Sequence, residues 1–275
     1  MYVLQDILIN KSISIFFLNW SSILVEKMNL TGNTILITGG GTGIGFEIAK
    51  EFVEKGNRVI ISGRRLKKLM EAKEKVPELE IIQGDVGNVK GIKKLAEVVI
   101  KNYADINVLI NNAGILECRN VTRPADDLEE LTNEIDINVM GPIRMNSIFM
   151  DVLKKNKGTI INVSSGLAFV PNIAMPVYCA SKAAIHSYTT TLRQQLEGVV
   201  EVIEIAPPLV NTGIVDLGGG GIPVDDFVKG VFTQLEAGTE LITVGMSTKL
   251  FEMSRSNPEK GLEMMKQKGS GFIPP

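Results

Sequence analysis

Tyr178 and Lys182 stand four positions apart in the stretch PVYCASKAAIHS, which opens with a proline and continues with helical periodicity. Residues at i and i+4 share one face of a helix, so the lysine ammonium can sit beside the tyrosine hydroxyl. A free phenol ionises near 10 and is a poor base at neutral pH, whereas a neighbouring cation favours phenolate and brings it toward the working range. Such a pair can give a proton to an alkoxide or take one from an alcohol. By itself the spacing describes a packed ring and a solvated charge equally well. Its meaning depends on what the chain places around it.

A second segment with chemical content is Thr38-Gly-Gly-Gly-Thr-Gly-Ile-Gly45. It follows the β-branched run Thr34–Thr38 and precedes a helical pattern from Ile44 to Lys55. Glycines let such a turn tighten and let backbone approach a pyrophosphate, while a helix start offers free N–H groups to the anion. In this strand–turn–helix context the glycines read as a dinucleotide site. The next strand ends Ser62-Gly63-Arg64-Arg65, with no acid at the junction. An acid there would bond the ribose 2′-hydroxyl of NAD, and a basic residue accommodates the 2′-phosphate of NADP. NADP(H) is therefore expected over NAD(H), the alternative being that the arginines only solvate a helix start.

The elements that must carry these residues follow from periodicity. Strands are expected at 34–38, 58–62, 81–85, 108–111, 159–163, 201–205 and 240–244, and helices at 44–55, 66–75, 89–102, 134–155 and 177–196. This alternation predicts an α/β, Rossmann-type doubly wound, mostly parallel seven-stranded sheet with helices on both faces. No repeat or linker divides the chain, and the Gly218–Gly221 run reads as a flexible loop. A single domain over 28–275 is expected. Residues 1–27 read as an N-terminal extension, from a start assigned too far upstream: their apolar stretch Ile13–Val25 is broken by Asn19, Ser21 and Ser22 and is too short for a bilayer. They lack the basic and small-residue features of a secretory signal.

Composition narrows the class. Over 275 residues the net charge is −2, with 44% hydrophobic and 22% charged residues, which gives no electrostatic footprint for nucleic acid. Two cysteines, Cys118 and Cys179, and one histidine, His186, supply neither a disulfide framework nor a metal site, so no metal is expected. A reducing, cytoplasmic setting fits, with no membrane or nucleic-acid partner. His186 reads as a packing or interface residue, and Cys179, rotated about 100° from Tyr178 on the helix, as a packed one.

TGGGTGIG, GDV, NNAG, NVSSG, YCASK and a proline turn ending in Asn211-Thr212 occur together in one order. In this the chain resembles the short-chain dehydrogenase/reductase family over Met28 to about Val244, and in NVSSGLAFVP, YCASKAAIHS and EVIEIAPPLVNT its DltE-like branch. The resemblance implies a catalytic tetrad of Asn138, Ser165, Tyr178 and Lys182, with Ser165 aligning the substrate oxygen and Asn138 distorting its helix and serving a proton relay. It implies cofactor contacts from Gly39, Thr42, Gly43, Ile44, Gly45, Arg64, Arg65, Asp85, Val86, Asn112, Ala113, Gly114, Tyr178, Lys182 and Thr212, with Asn111 flanking them. Asp85 would meet the adenine ring and Thr212 the nicotinamide carboxamide. The expected activity is hydride transfer between NADP(H) and a small carbonyl or alcohol, in a homodimer or homotetramer pairing through helices 134–155 and 177–196. The alternative is a regulatory protein that binds NADP(H) without turnover. Two departures from the family pattern concern the substrate side: Pro207-Pro208 replaces the usual Pro-Gly turn, and a short glycine-rich stretch at 213–224 stands where relatives carry a helical lid.

Overall fold

The computed structural model of the protein describes residues 27–123, 128–212 and 220–273. The extension therefore lies, save for Lys27, outside the described residues, as do Gly218 and Gly219 of the expected loop. The run Thr34-Ile-Leu-Ile-Thr38 forms strand β1, in which Ile35, Leu36 and Ile37 are fully buried. Successive strand side chains point to opposite faces, so an unbroken apolar run needs cover on both sides. Ile35 and Ile37 pack with Phe46 and Phe52 of helix α1 (Gly43–Glu54) on one face. Leu36 packs on the other with Leu95 and Val99 of α3 (Val89–Asn102).

Between these lie β2 (Arg58–Gly63), α2 (Leu66–Lys75) and β3 (Glu80–Gln83), and after them comes β4 (Val108–Asn111). The chain continues through α4 (Leu128–Ile135), a π-helical segment Asp136–Met140, α5 (Gly141–Lys155) and β5 (Thr159–Val163). A 3₁₀ turn Gly166–Ala168 leads to α6 (Pro176–Gln195), then β6 (Glu201–Ala206) and the short pair β7 (Val210–Asn211) and β8 (Ile222–Pro223). Helix α7 (Val224–Glu236), β9 (Leu241–Thr243), α8 (Met246–Ser256) and α9 (Pro258–Gly269) complete the body, with a last 3₁₀ turn at Ser270–Phe272. Phe232 of α7 meets Phe52 edge-on at 4.8 Å, closing the α1 face of the core. Burial of each such ring stabilises by about 2–3 kcal/mol.

Seven strands form one parallel sheet in the order β3-β2-β1-β4-β5-β6-β9. Winding runs outward from β1 to β3, then restarts at β4 and runs the other way. The two directions leave a crevice at the C-terminal ends of β1 and β4, the place where open α/β sheets bind ligands.

Three expectations change in detail. The third strand stops at Gln83 rather than Asp85, because Asp85 accepts from the Gly87 amide and turns the chain into α3. The single helix expected over 134–155 is two helices with the π segment between them, where the Gly141 amide reaches back five residues to the Asp136 carbonyl. Pro142, in the first turn of α5, has no N–H with which to continue the α pattern. The C-terminal third holds β7, β8, α7, α8 and α9, of which periodicity signalled none.

Candidate active site

The turn after β1 is built against the end of β4. Gly39 has φ +66°, and a Cβ there would lie 2.8 Å from the Ala113 Cα. At Gly45 a Cβ would fall 2.3 Å from the Asn112 amide nitrogen and 2.7 Å from the Gly39 carbonyl. Asn112 holds this closeness, its side-chain amide donating to the carbonyls of Thr38 at 3.0 Å and Gly39 at 3.2 Å. Thr38 Oγ1 accepts from the amides of Asn112 and Ala113, both at 3.1 Å. Thr42, Gly43, Ile44 and Gly45 then open α1, whose N-terminus has neither a side-chain cap nor an acidic residue in its first turn. Its amides are left for an anion. This cradle of glycines and uncapped amides fits a dinucleotide pyrophosphate.

Beneath it, buried Asn111 donates to Asn146 Oδ1 at 2.6 Å and Asn162 Oδ1 at 2.9 Å, tying β4, α5 and β5 together. Asn162 continues to Thr189 Oγ1 on α6 at 3.0 Å. Arg64 and Arg65 are exposed at the end of β2, and among the described residues neither meets a carboxylate at ion-pair distance. Asp85, expected at the adenine, uses both carboxylate oxygens locally, on the Gly87 amide at 2.9 Å and the Asn88 side chain at 2.8 Å. Val86 beside it is buried. Thr212 ends the β7 side of the loop, at the edge of the described residues.

The four residues of the expected tetrad converge. Asn138, in the π segment and 1% exposed, accepts from the Ile115 amide at 2.9 Å and donates to the Ile115 carbonyl at 2.9 Å and Ser181 Oγ at 3.0 Å. Ser181, which the sequence did not single out, thus links α6 to the π segment. Gly114 sits where a Cβ would be 3.2 Å from Asn138 Oδ1 and 3.4 Å from Lys182 Nζ. Lys182 is buried and donates to the Val163 carbonyl at 2.9 Å, with its ammonium 5.6 Å from the Tyr178 ring centroid. Ser165, just past the end of β5, accepts from the Leu167 amide at 3.1 Å, and its hydroxyl acts to lower the Tyr178 phenol.

The electrostatics correct one expectation. Burial lowers Lys182 to about 8, opposed by the charge of Glu204. Burial also pushes the Tyr178 hydroxyl up to about 12; Ser165 works downward, Cys179 and Glu134 upward. The expected lowering of the phenol by Lys182 is not what the protein's own groups produce. The ammonium is turned to a carbonyl and to the ring face rather than to the hydroxyl, and loss of solvent dominates.

Glu134 is a further residue near the site that sequence reasoning passed over. Fully buried, it accepts from the Glu117 amide at 3.1 Å, and burial raises its carboxyl. His186, read as packing, lies edge-on to Phe169 at 5.1 Å but also directs Nδ1 at Glu204, which spacing gave no means of foreseeing. Cys179 is buried, and burial raises its thiol, in keeping with a packed residue. A groove of about 390 Å³ between α1 and α7, lined by Glu47, Lys50, Asp225 and Lys229 among others, holds none of the expected site residues.

Comparison with known proteins bears on this geometry. A family model described as short chain dehydrogenase matches residues 33–217. The chain is 39% identical over 247 residues to the "Uncharacterized oxidoreductase DltE" of Bacillus subtilis (strain 168), covering 86% of this chain and 98% of that protein. Among solved structures, a short chain dehydrogenase from Burkholderia cenocepacia J2315 in complex with NADP superposes with TM-score 0.75 at 28% identity, over 90% of this chain and all of that one. A short chain dehydrogenase/reductase from Burkholderia phymatum in complex with NAD shares the fold, with TM-score 0.75 at 20% identity, over 87% of this chain and 97% of that one.

Proposed function

The chain belongs to the short-chain dehydrogenase/reductase family, and from that footing we propose that it is an NADP(H)-dependent oxidoreductase that reduces the carbonyl group of a small molecule to an alcohol. The observation that carries this reading is the convergence of Ser165, Tyr178 and Lys182 beside Gly114, at the crevice where the glycine turn after β1 meets β4. The bound nicotinamide supplies the hydride. Gly39, Thr42, Gly43, Ile44 and Gly45 would hold the pyrophosphate, Asn112, Ala113 and Gly114 the segment beyond it, and Thr212 the carboxamide. Arg64 and Arg65, exposed and free of ion pairs among the described residues, would take the 2′-phosphate.

Ser165 bonds the substrate oxygen and aligns the carbonyl. Tyr178 gives its proton to the oxygen as negative charge develops there. A phenol held up at about 12 is protonated at neutral pH, which suits the acid of a reduction. Lys182 supplies positive charge next to the phenolate left behind, and Asn138 fixes the π segment against Ile115 and Ser181. Tyr178 packs, with Leu116, Cys118, Leu167 and Phe272, against buried Ala174, Met175 and Cys179, which holds its ring in place.

The test is NADPH titration followed by a panel of ketones and aldehydes, run on wild type and Tyr178→Phe. The variant is expected to bind NADPH like wild type and to lose about 10²–10⁴-fold in kcat. Turnover by Tyr178→Phe equal to wild type would sink the assignment. NADPH binding without turnover by wild type on any substrate would replace it with a nucleotide-binding regulatory role.

A further inference from the structure

Tyr178, Lys182 and His186 follow one another at intervals of four along α6, so they share one face of that helix. Two successive turns of this face are fastened to the strand end that carries Ser165. Lys182 donates to the Val163 carbonyl at 2.9 Å. One turn on, His186 sets Nδ1 3.1 Å from Oε1 and 2.9 Å from Oε2 of Glu204, in the middle of β6. Glu204 Oε1 in turn accepts from the hydroxyl of buried Ser164, the residue immediately before Ser165. Backbone bonds complete the hold on either side of Ser165: the Ser164 amide donates to the Ile205 carbonyl and the Gly166 amide to the Pro207 carbonyl, both at 2.8 Å.

Glu204 is 1% exposed, with Asn162 on β5 and Leu241 on β9 as its register neighbours. A carboxyl group is costly in such a place, and an apolar side chain of its size would not be. What Glu204 supplies in return is a pair of directed bonds, one to the serine strand end and one to α6. The three residues are not a nucleophilic triad. That arrangement needs the imidazole between hydroxyl and carboxyl, and here the carboxyl stands between the other two. His186 also meets Phe169 edge-on at 5.1 Å, and Phe169 meets Phe251 of α8 at 5.1 Å, so the chain just past Ser165 is braced against the same helix.

We propose that Glu204, held between Ser164 and His186, is a positioning residue that fixes Ser165 against Tyr178 by tying the strand end bearing the serine to the helix bearing the tyrosine. Its part in turnover rests on the hydride-transfer reading above. The device works by geometry and not by charge. A glutamine at 204 can still accept from Ser164 and meet the imidazole, whose Nδ1 donates in one neutral tautomer and accepts in the other. A leucine at 204 fills the place and makes neither bond.

The experiment is a double-mutant cycle between Glu204→Leu and Ser165→Ala, with Glu204→Gln as the conservative variant. Alone, Glu204→Leu is expected to lower kcat/KM by about 10–100-fold, the scale of a misplaced reacting group, with the Kd for NADPH close to wild type. In the Ser165→Ala background the same change should cost less than about twofold, because the residue it acts through is already gone. Glu204→Gln should recover most of the loss, and Ser164→Ala and His186→Leu, which each break one link, should cost less than Glu204→Leu. A merely structural role would give the same fold loss in both backgrounds, and that result overturns the proposal. So does a Glu204→Gln as slow as Glu204→Leu, since charge would then be what matters. If Glu204→Leu fails to fold, Ser164→Ala enters the same cycle, and an undiminished loss beside Ser165→Ala overturns it equally. The second readout needs no turnover: the ¹³Cζ resonance of Tyr178 in tyrosine-labelled protein, assigned by its disappearance in Tyr178→Phe. Glu204→Leu should move it in the direction that Ser165→Ala does, and a resonance left unmoved by Glu204→Leu defeats the proposal. Wild type without turnover defeats the hydride-transfer reading alone, because the resonance still decides what Glu204 does.

Discussion

Lys182 and Tyr178 hold their protons over different ranges, and the gap between them sets a pH window. Lys182 gives up its proton near 8, while Tyr178 keeps its own to about 12. Below the Lys182 midpoint the ammonium is present and the phenol is loaded, so the proposed carbonyl reduction is expected to run at its plateau. Above it the phenol is still protonated, but the charge that stabilises the departing phenolate is lost. The expected profile of kcat/KM for reduction is flat through neutrality and then falls by up to about tenfold per pH unit above about 8. Stopped-flow or steady-state rates from pH 6 to 10 would check this; a profile still rising at pH 9 would contradict it.

At the scale of elements, two junctions do most to position the chemistry. One is the π segment, where the Gly141 amide bonds to the Asp136 carbonyl and the Asn138 side chain is set against Ile115 and Ser181. Such bulges recur at functional sites because they re-aim a side chain without ending the helix. The other is the passage from β2 into α2, where Arg65 is the residue before the first helical turn and that turn holds no acid. Cations are mildly unfavourable at a helix N-terminus, which favours an anion beside these two exposed arginines. Replacing Arg64 and Arg65 together by alanine is expected to raise the Kd for NADPH by about 10–100-fold, in line with losing charge-assisted hydrogen bonds of about 1.5–3 kcal/mol. The Kd for NADH should change little. Equal losses for both cofactors, measured by fluorescence titration, would refute the 2′-phosphate assignment.

For the whole molecule, the parallel sheet buries both faces and leaves its ligand crevice at one end, between the oppositely wound halves. Among the described residues no helix is long and apolar enough to cross a membrane. Helices α5 and α6 keep Ile148, Met150, Val152 and Tyr188 only partly buried after packing against the core. An association through these two helices is a proposal drawn from the family resemblance. Size-exclusion chromatography with light scattering is expected to give a dimer or tetramer, and charged substitutions at Ile148 and Val152 to shift it toward monomer. A wild-type monomer at micromolar concentration would contradict this.

Much of this was legible in the chain because it depends on local pattern. Unbroken apolar runs such as Thr34–Thr38 and Thr159–Val163 specify strands covered on both faces, and the intervening helical periods specify the crossovers. The glycine turn and the order of Ser165, Tyr178 and Lys182 are likewise properties of spacing. The tertiary structure decided what spacing cannot carry. It broke the helix over 134–155 into α4, the π segment and α5, where the contact between Asn138 and Ile115 joins residues 23 apart in sequence. It gave the Asp85 carboxylate a turn to hold. It also reversed the expected direction for Tyr178, since desolvation depends on everything packed around a group and not on the neighbour one helical turn away. Glu204 shows the same limit from the other side: in the sequence it is one acid in a strand, and only the pairing of β5 with β6 and the packing of α6 bring Ser164 and His186 to it.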